Sequence, residues 1–144
     1  MSAVRDEISR LLAHPATASR RLPPILIQGE TGTGKGLVAH VIHDTGPRAD
    51  ASFVDVNCAA IPDTLLEAEL FGFERGAFTD AKQAKAGLLQ LAHRGTIFLD
   101  EIGLMQEPLQ VKLLKALEDR TVRRLGGTRA ESADAWVLAA TSED

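Results

Sequence analysis

A short apolar run, Pro24-Ile25-Leu26-Ile27, leads through Gln28 into Gly29-Glu30-Thr31-Gly32-Thr33-Gly34-Lys35, and an apolar helical pattern (Leu37, Val38, Val41, Ile42) follows. Strand, G-x-x-x-x-G-K and helix in that order are the phosphate-binding P-loop. Gly29, Gly32 and Gly34 allow positive φ and a close approach of backbone to phosphate. Successive N–H groups then converge as an anion nest. The helix that begins near Lys35 directs its partial positive N-terminus at the same place, and Lys35 adds a point charge for the β- and γ-phosphates. A strand feeding such a loop commits the chain to an open α/β sheet, with its ligand at the strand C-termini.

The remaining pattern agrees. Ile25–Gln28 reads as the first strand and the next helix runs from about Lys35 to Asp44, stopping at Gly46-Pro47. Phe53–Asn57 alternates as a strand. Pro62 opens a helix carrying Leu65, Leu66 and Leu70, and Gly72–Ala81 breaks it. A helix is expected to resume through Leu88 and Leu91 to Gly95. Thr96–Leu99 is a buried strand, Pro108 starts a helix with Leu109, Leu113, Leu114 and Leu117, Gly126-Gly127 marks a hairpin turn, and Trp136–Ala140 is a last apolar strand. Strands separated by helices predict a parallel sheet with helices on both faces. Val4, Ile8, Leu11 and Leu12 have helical spacing, so residues 1–19 are expected to be a helix and linker ahead of a domain over 20–144.

Composition narrows the function. The chain has 144 residues, enough for one core. A net charge of −4 offers no general basic surface for DNA. Cys58 is the single cysteine, which excludes an internal disulfide and fits a reducing cytoplasm. No apolar run approaches the ~18 residues of a membrane span, and no basic segment with an apolar stretch begins the chain, so no secretory leader is expected.

Thr96-Ile97-Phe98-Leu99 ends in Asp100-Glu101, the Walker B form. Asp100 is placed to hold Mg²⁺ beside the phosphates, and Glu101 to polarise an attacking water.

Asn57-Cys58-Ala59-Ala60, Glu69-Leu70-Phe71-Gly72, Gly76-Ala77-Phe78-Thr79, Gly95–Ile102 and Gly126-Gly127-Thr128 follow one another in that order. With these motifs the sequence resembles the AAA+ ATPase domain of bacterial sigma-54-dependent transcription activators over about residues 20–144. The resemblance implies ATP and Mg²⁺ as cofactors, a homo-oligomeric ring that hydrolyses ATP to ADP and phosphate, and sigma-54 RNA polymerase as the partner that is remodelled. It also implies a cytoplasmic location without membrane or direct DNA contact. By position, Gly29, Glu30, Thr31, Gly32, Thr33, Gly34, Lys35 and Gly36 bind the nucleotide, Asp100 the metal. Glu101, Asn57 and Ser142 serve hydrolysis, Asn57 by contacting Glu101 and Thr141-Ser142 as the first sensor. Gly76, Ala77, Phe78, Thr79, Asp80 and Ala81 form the sigma-contacting loop.

The sequence departs from the family pattern in three places. Gly36 stands where the family usually has Glu, Asp80 where the loop has glycine, and Ser142 where the sensor has asparagine. Asp80 keeps a second reading open: an ATP-binding regulatory domain whose loop no longer engages sigma-54. The family's arginine fingers, second sensor, fifth strand and helical lid are expected beyond Asp144. Arg120, Arg123, Arg124 and Arg129 are therefore expected to be surface or intersubunit charges rather than fingers. His40 and His43, three apart, are expected on a half-exposed helix face, Cys58 as a packing residue and Trp136 in core or edge packing.

Overall fold

The computed structural model describes residues 22–30, 32 and 34–142, so the expected helix over 1–19 and the boundary after it lie outside the described residues. Four parallel strands form the central sheet: β1 (Ile25–Gln28), β2 (Phe53–Asn57), β5 (Thr96–Asp100) and β8 (Trp136–Thr141), in the order β1-β8-β5-β2. The register pairs Gln28 with Thr141, Leu99 with Ala139 and Asn57 with Asp100. The C-terminal ends of all four strands therefore share one edge.

The two middle strands are buried on both faces, which is why they read as continuous apolar runs. Alternate residues go to opposite sides. Ile97, Leu99, Val137 and Ala139 face one cluster with Leu66, Leu70, Leu109 and Leu113. These leucines come from α2 (Asp63–Phe71) and α4 (Glu107–Asp119). Phe98, Trp136, Leu138 and Ala140 face the other cluster with Ala39 of α1 (Lys35–Thr45). Helices thus cover both faces, as predicted. Trp136 is core, and its indole Nε1 donates to Pro23 O at 2.9 Å. Gly46 ends α1 where any Cβ would lie 3.1 Å from the Trp136 ring.

Two expectations need correction, and one apolar pattern packs only in part. The helix expected to run to Gly95 is only α3 (Leu88–Leu91). Before it, β4 (Lys85–Ala86) pairs antiparallel with β3 (Gly72–Phe73) and closes the intervening loop. Gly87 must pass against the backbone of Leu70–Gly72, and that crossing fixes where a helix can start. The apolar residues of α1 do not all face inward: Leu37, Val38 and Val41 are 71%, 44% and 53% exposed, because small Ala39 makes the close contact with the sheet. His43 is not half-exposed but buried. Thr96 Oγ1 lies 2.7 Å from its Nδ1, and Nε2 lies 3.2 Å from Ala51 O.

Gly126-Gly127 does turn a hairpin, between β6 (Thr121–Arg123) and β7 (Ala130–Ser132). No described helix is long and apolar enough to cross a membrane.

Candidate nucleotide site and loop

Lys35 begins α1 directly after β1 and the glycine loop. Gly32 and Gly34 both have φ of 86°, the left-handed conformation that the motif requires of glycine. Gly34 is the N-cap of α1 and has no side chain with which to cap it, so the first N–H groups of the helix stay available to an anion. Lys35 is 8% exposed. Its Nζ donates to Gly29 O at 2.8 Å and Glu30 O at 3.0 Å. Thr31 and Thr33 lie outside the described residues. Among the described residues, a Cβ at Gly36 would meet only the Phe98 ring at 3.9 Å, so packing there does not force the absence of a side chain.

Asp100 closes β5 on the same edge. Its Oδ1 is buried and, among the described residues, has no hydrogen-bond partner. Burial, and then the neighbouring Glu101 charge, push the Asp100 carboxyl above its ordinary value. A buried acceptor without a donor and with an unfavourable charge is what a divalent cation would satisfy, so the residues present fit Mg²⁺. The same surroundings act on Cys58. Burial, and then Asp100, push its thiol up to about 12, so it is a packing residue rather than a nucleophile.

Glu101 has φ of 56° and ψ of 45°, an uncommon conformation for a residue with a side chain and one that clusters at functional sites. Its Oε1 is 3.9 Å from Lys35 Nζ, and its Oε2 accepts a hydrogen bond from Ser142 Oγ at 2.9 Å. Lys35, Glu101 and Ser142 therefore meet in one cluster, next to Asp100. Asn57 does not join it. Its Oδ1 accepts from Ala59 N at 3.1 Å, a local turn, instead of the contact with Glu101 that the resemblance implied.

The loop between β3 and β4 is folded back on itself. Gly76 N donates to Ala81 O at 2.8 Å, and Ala81 is buried. The Phe78 ring sits edge-on against Phe73, with centroids 4.9 Å apart, while Phe78 remains 43% exposed. Asp80 is exposed, and no ion pair holds it among the described residues. The base of the loop is joined to the β6–β7 connection. Glu74 N donates to Leu125 O and Leu125 N to Gly72 O, both at 2.9 Å. Arg124 pairs with Glu74 at 3.2 Å and reaches Gln90 Oε1 at 3.2 Å.

The sigma-54 interaction domain family matches residues 1–144. The chain belongs to that family. It is 44% identical to the response regulator protein PilR of Pseudomonas aeruginosa over 144 residues, all of this chain and 31% of PilR. It is 54% identical to the hydrogenase transcriptional regulatory protein HoxA of Cupriavidus necator over 118 residues, 82% of this chain and 24% of HoxA. The crystal structure of NtrX from Brucella abortus in complex with ATP superposes with a TM-score of 0.74 at 34% identity, covering all of this chain and 30% of that one. The chain thus spans less than a third of the length of these relatives. The parallel sheet and its helices are those of the AAA+ P-loop fold.

Within this sigma-54 interaction domain, Lys35, Asp100 and Glu101 meet at one sheet edge as the sequence reading expected, but that reading missed what anchors the Gly76–Ala81 loop. Arg124, read as a surface or intersubunit charge, is an intrachain clamp. Gly87 was not singled out, although an isolated glycine just before an apolar helix was a signal for close backbone approach.

Proposed function

We propose that this domain binds ATP with Mg²⁺ at Gly29–Gly36, Asp100 and Glu101, and hydrolyses it within a homo-oligomeric ring. The cycle would drive the Gly76–Ala81 loop against sigma-54 RNA polymerase. The observation that carries this reading is the convergence of Lys35, Asp100 and Glu101 at one sheet edge, behind two left-handed glycines. The ATP complex of the similar NtrX structure supports it. In this arrangement Lys35 would neutralise phosphate charge, Asp100 would hold the metal, and Glu101 would orient water and accept its proton. Bound Mg²⁺ would supply further neutralisation of the phosphates. Such a domain works in the cytoplasm, and its net charge of −4 leaves DNA contact to other parts of the regulator.

Titration calorimetry of the native chain and Lys35→Ala with Mg-ATP tests the reading. A charge-assisted phosphate contact contributes about 1.5–3 kcal/mol. Lys35 must leave two carbonyl partners to make it, so the expected loss is at the low end, about tenfold in affinity. Equal affinities would remove Lys35 from the site.

Asp80 supports a second reading, an ATP-binding regulatory domain that does not engage sigma-54. An exposed carboxylate without an ion pair carries a desolvation cost of about 1–3 kcal/mol if it is buried unpaired on contact. Sigma-54 capture by native protein and Asp80→Gly separates the two. Equal capture favours the activator, and capture by the glycine variant alone favours the second reading.

A further inference from the structure

Among the described residues, three that are not glycine have positive φ: Arg94 at 64°, Glu101 at 56° and Arg120 at 58°. Glu101 belongs to the nucleotide edge. The two arginines lie at the opposite edge, where β5 and β8 begin, and both bond to the same turn. Arg94 N donates to Asp134 O at 2.8 Å, and Ala133 N donates to Arg120 O at 2.9 Å. β5 is five residues long, so about 13 Å of strand separates this edge from the nucleotide edge. A left-handed backbone suits glycine and is unfavourable for a residue with a Cβ. Outliers of this kind cluster at ligand clamps. Arginine lacks the short polar group with which Asn or Asp offsets the strain locally, so its presence at both positions points to a use for the side chains.

A third arginine meets them there. Arg48 Nη1 donates to Gly95 O at 2.7 Å and to Asp134 O at 3.0 Å. Its Nη2 is 3.4 Å from Asp134 Oδ2, while Arg120 Nε is 3.8 Å from Asp134 Oδ1. Two guanidiniums thus share the Asp134 carboxylate. Arg120 Nη2 is buried and, among the described residues, has no hydrogen-bond partner. Arg48 and Arg120 are 17% and 28% exposed, so their charges are screened less than those of an open surface. Arg94 is exposed and is tied to the same turn through its N–H. We infer that Arg48, Arg94 and Arg120 form a binding site for a phosphate monoester, separate from the nucleotide edge. Three guanidiniums against Asp134 leave a charge of about +2, which matches the charge of about −1.5 to −2 on a phosphate monoester and exceeds that of a single carboxylate. The planar N–H forks suit phosphate oxygens, and Arg120 Nη2 has N–H groups free to meet one. The site does not depend on the nucleotide reading above.

The test is nitrogen-15 NMR titration of the chain with inorganic phosphate and with a capped Gly-phosphoserine-Gly peptide, because the signals report residue by residue. Saturable shifts are expected at residues 94, 120, 133 and 134, distinct from any that phosphate causes at residues 29–38. Arg94→Gly and Arg120→Gly each remove a guanidinium where glycine is the easier residue. Their melting temperatures should therefore rise or stay within about 3 °C of native. Affinity should fall about tenfold in each, the fold-change of one charge-assisted hydrogen bond. Arg129→Ala removes an 85%-exposed charge from the β6–β7 hairpin and should change affinity by less than about twofold. Tighter binding of the phosphopeptide than of inorganic phosphate assigns a phosphorylated side chain as the ligand, and the reverse order assigns a free phosphate. A capped Gly-Glu-Gly peptide should bind about tenfold more weakly than the phosphopeptide, and equal binding would overturn the phosphate assignment. The site itself is overturned by an absence of saturable shifts at residues 94, 120, 133 and 134. It is also overturned if Arg129→Ala loses as much affinity as Arg120→Gly, since the attraction would then be diffuse charge.

Discussion

Gly87→Ala should detach the base of the loop from the body of the domain. Gly87 has φ of −80° and ψ of 166°, a backbone that alanine adopts freely, so the substitution adds only a methyl group. That methyl would run into Leu70 O and Phe71 C and lie 2.5 Å from Gly72 N. All three are main-chain atoms at the junction of α2 and β3, and none can move aside as a side-chain end could. Gly72 cannot make room from its own side. Its φ of 77° and ψ of 178° are essentially confined to glycine, and its α-hydrogens already face Lys85 O and Gly87 N. Relief requires β3 and α3 to separate, which loosens the Gly72–Ala86 pairing and the packing of buried Phe71 and Leu89. Overpacking of this kind costs about 3 kcal/mol. At about 4 °C per kcal/mol for a domain of this size, the melting temperature should fall by about 12 °C. Gly76→Ala is the contrast. Gly76 has φ of 84° with nothing within 4 Å of a Cβ, so only left-handed strain of about 1 kcal/mol applies. Thermal melts followed by circular dichroism, with hydrogen exchange across residues 72–87, read both. A Gly87→Ala melt within 2 °C of native would refute the claim that this crossing is rigid.

Asp100→Asn should raise metal-free stability by about 1 kcal/mol, since it removes a charge from a buried oxygen that lacks a donor, and a urea titration without Mg²⁺ measures it. The native fold binds the Asp100 proton more tightly than the unfolded chain does. Metal-free stability should therefore fall as the pH rises from the ordinary carboxylate range through the raised Asp100 value, and Asp100→Asn should lose that component. Arg124→Ala removes the links to Glu74 and Gln90. Because Glu74 is 42% exposed, the loss should be near 1 kcal/mol, but amide exchange in the loop should quicken while that of β5 stays unchanged. Uniform quickening throughout the chain would show that Arg124 supports the whole fold instead.

The sheet was legible because its strands are apolar runs bounded by glycine and proline. Ile97, Phe98 and Leu99 had to be buried on both faces, and that alone put Asp100 and Glu101 at a crevice edge. The Walker residues were legible for a related reason: positive φ at Gly32 and Gly34, and a charge at Lys35, are demands made locally. Long-range pairings were not legible. β3 and β4 are two residues each, too short for periodicity to register, and they exist because Gly72 and Gly87 let two backbones meet. His43 looked half-exposed because its spacing from His40 says nothing about Thr96, which is 53 positions away in sequence. Ser142 could be placed at the end of a strand, but its hydrogen bond to Glu101 depends on strand register, which is set by the whole sheet.

Hydrogen exchange of the chain with and without Mg²⁺ and β,γ-imido-ATP tests the central claim most directly, because it reports where the nucleotide sits without presupposing hydrolysis. The account predicts slower exchange concentrated at residues 29–38, 100–101 and 141–142, the C-terminal edge of β1, β5 and β8, and the same pattern lost in Lys35→Ala at an equal analogue concentration. Protection centred elsewhere, or none at saturating analogue, would contradict it.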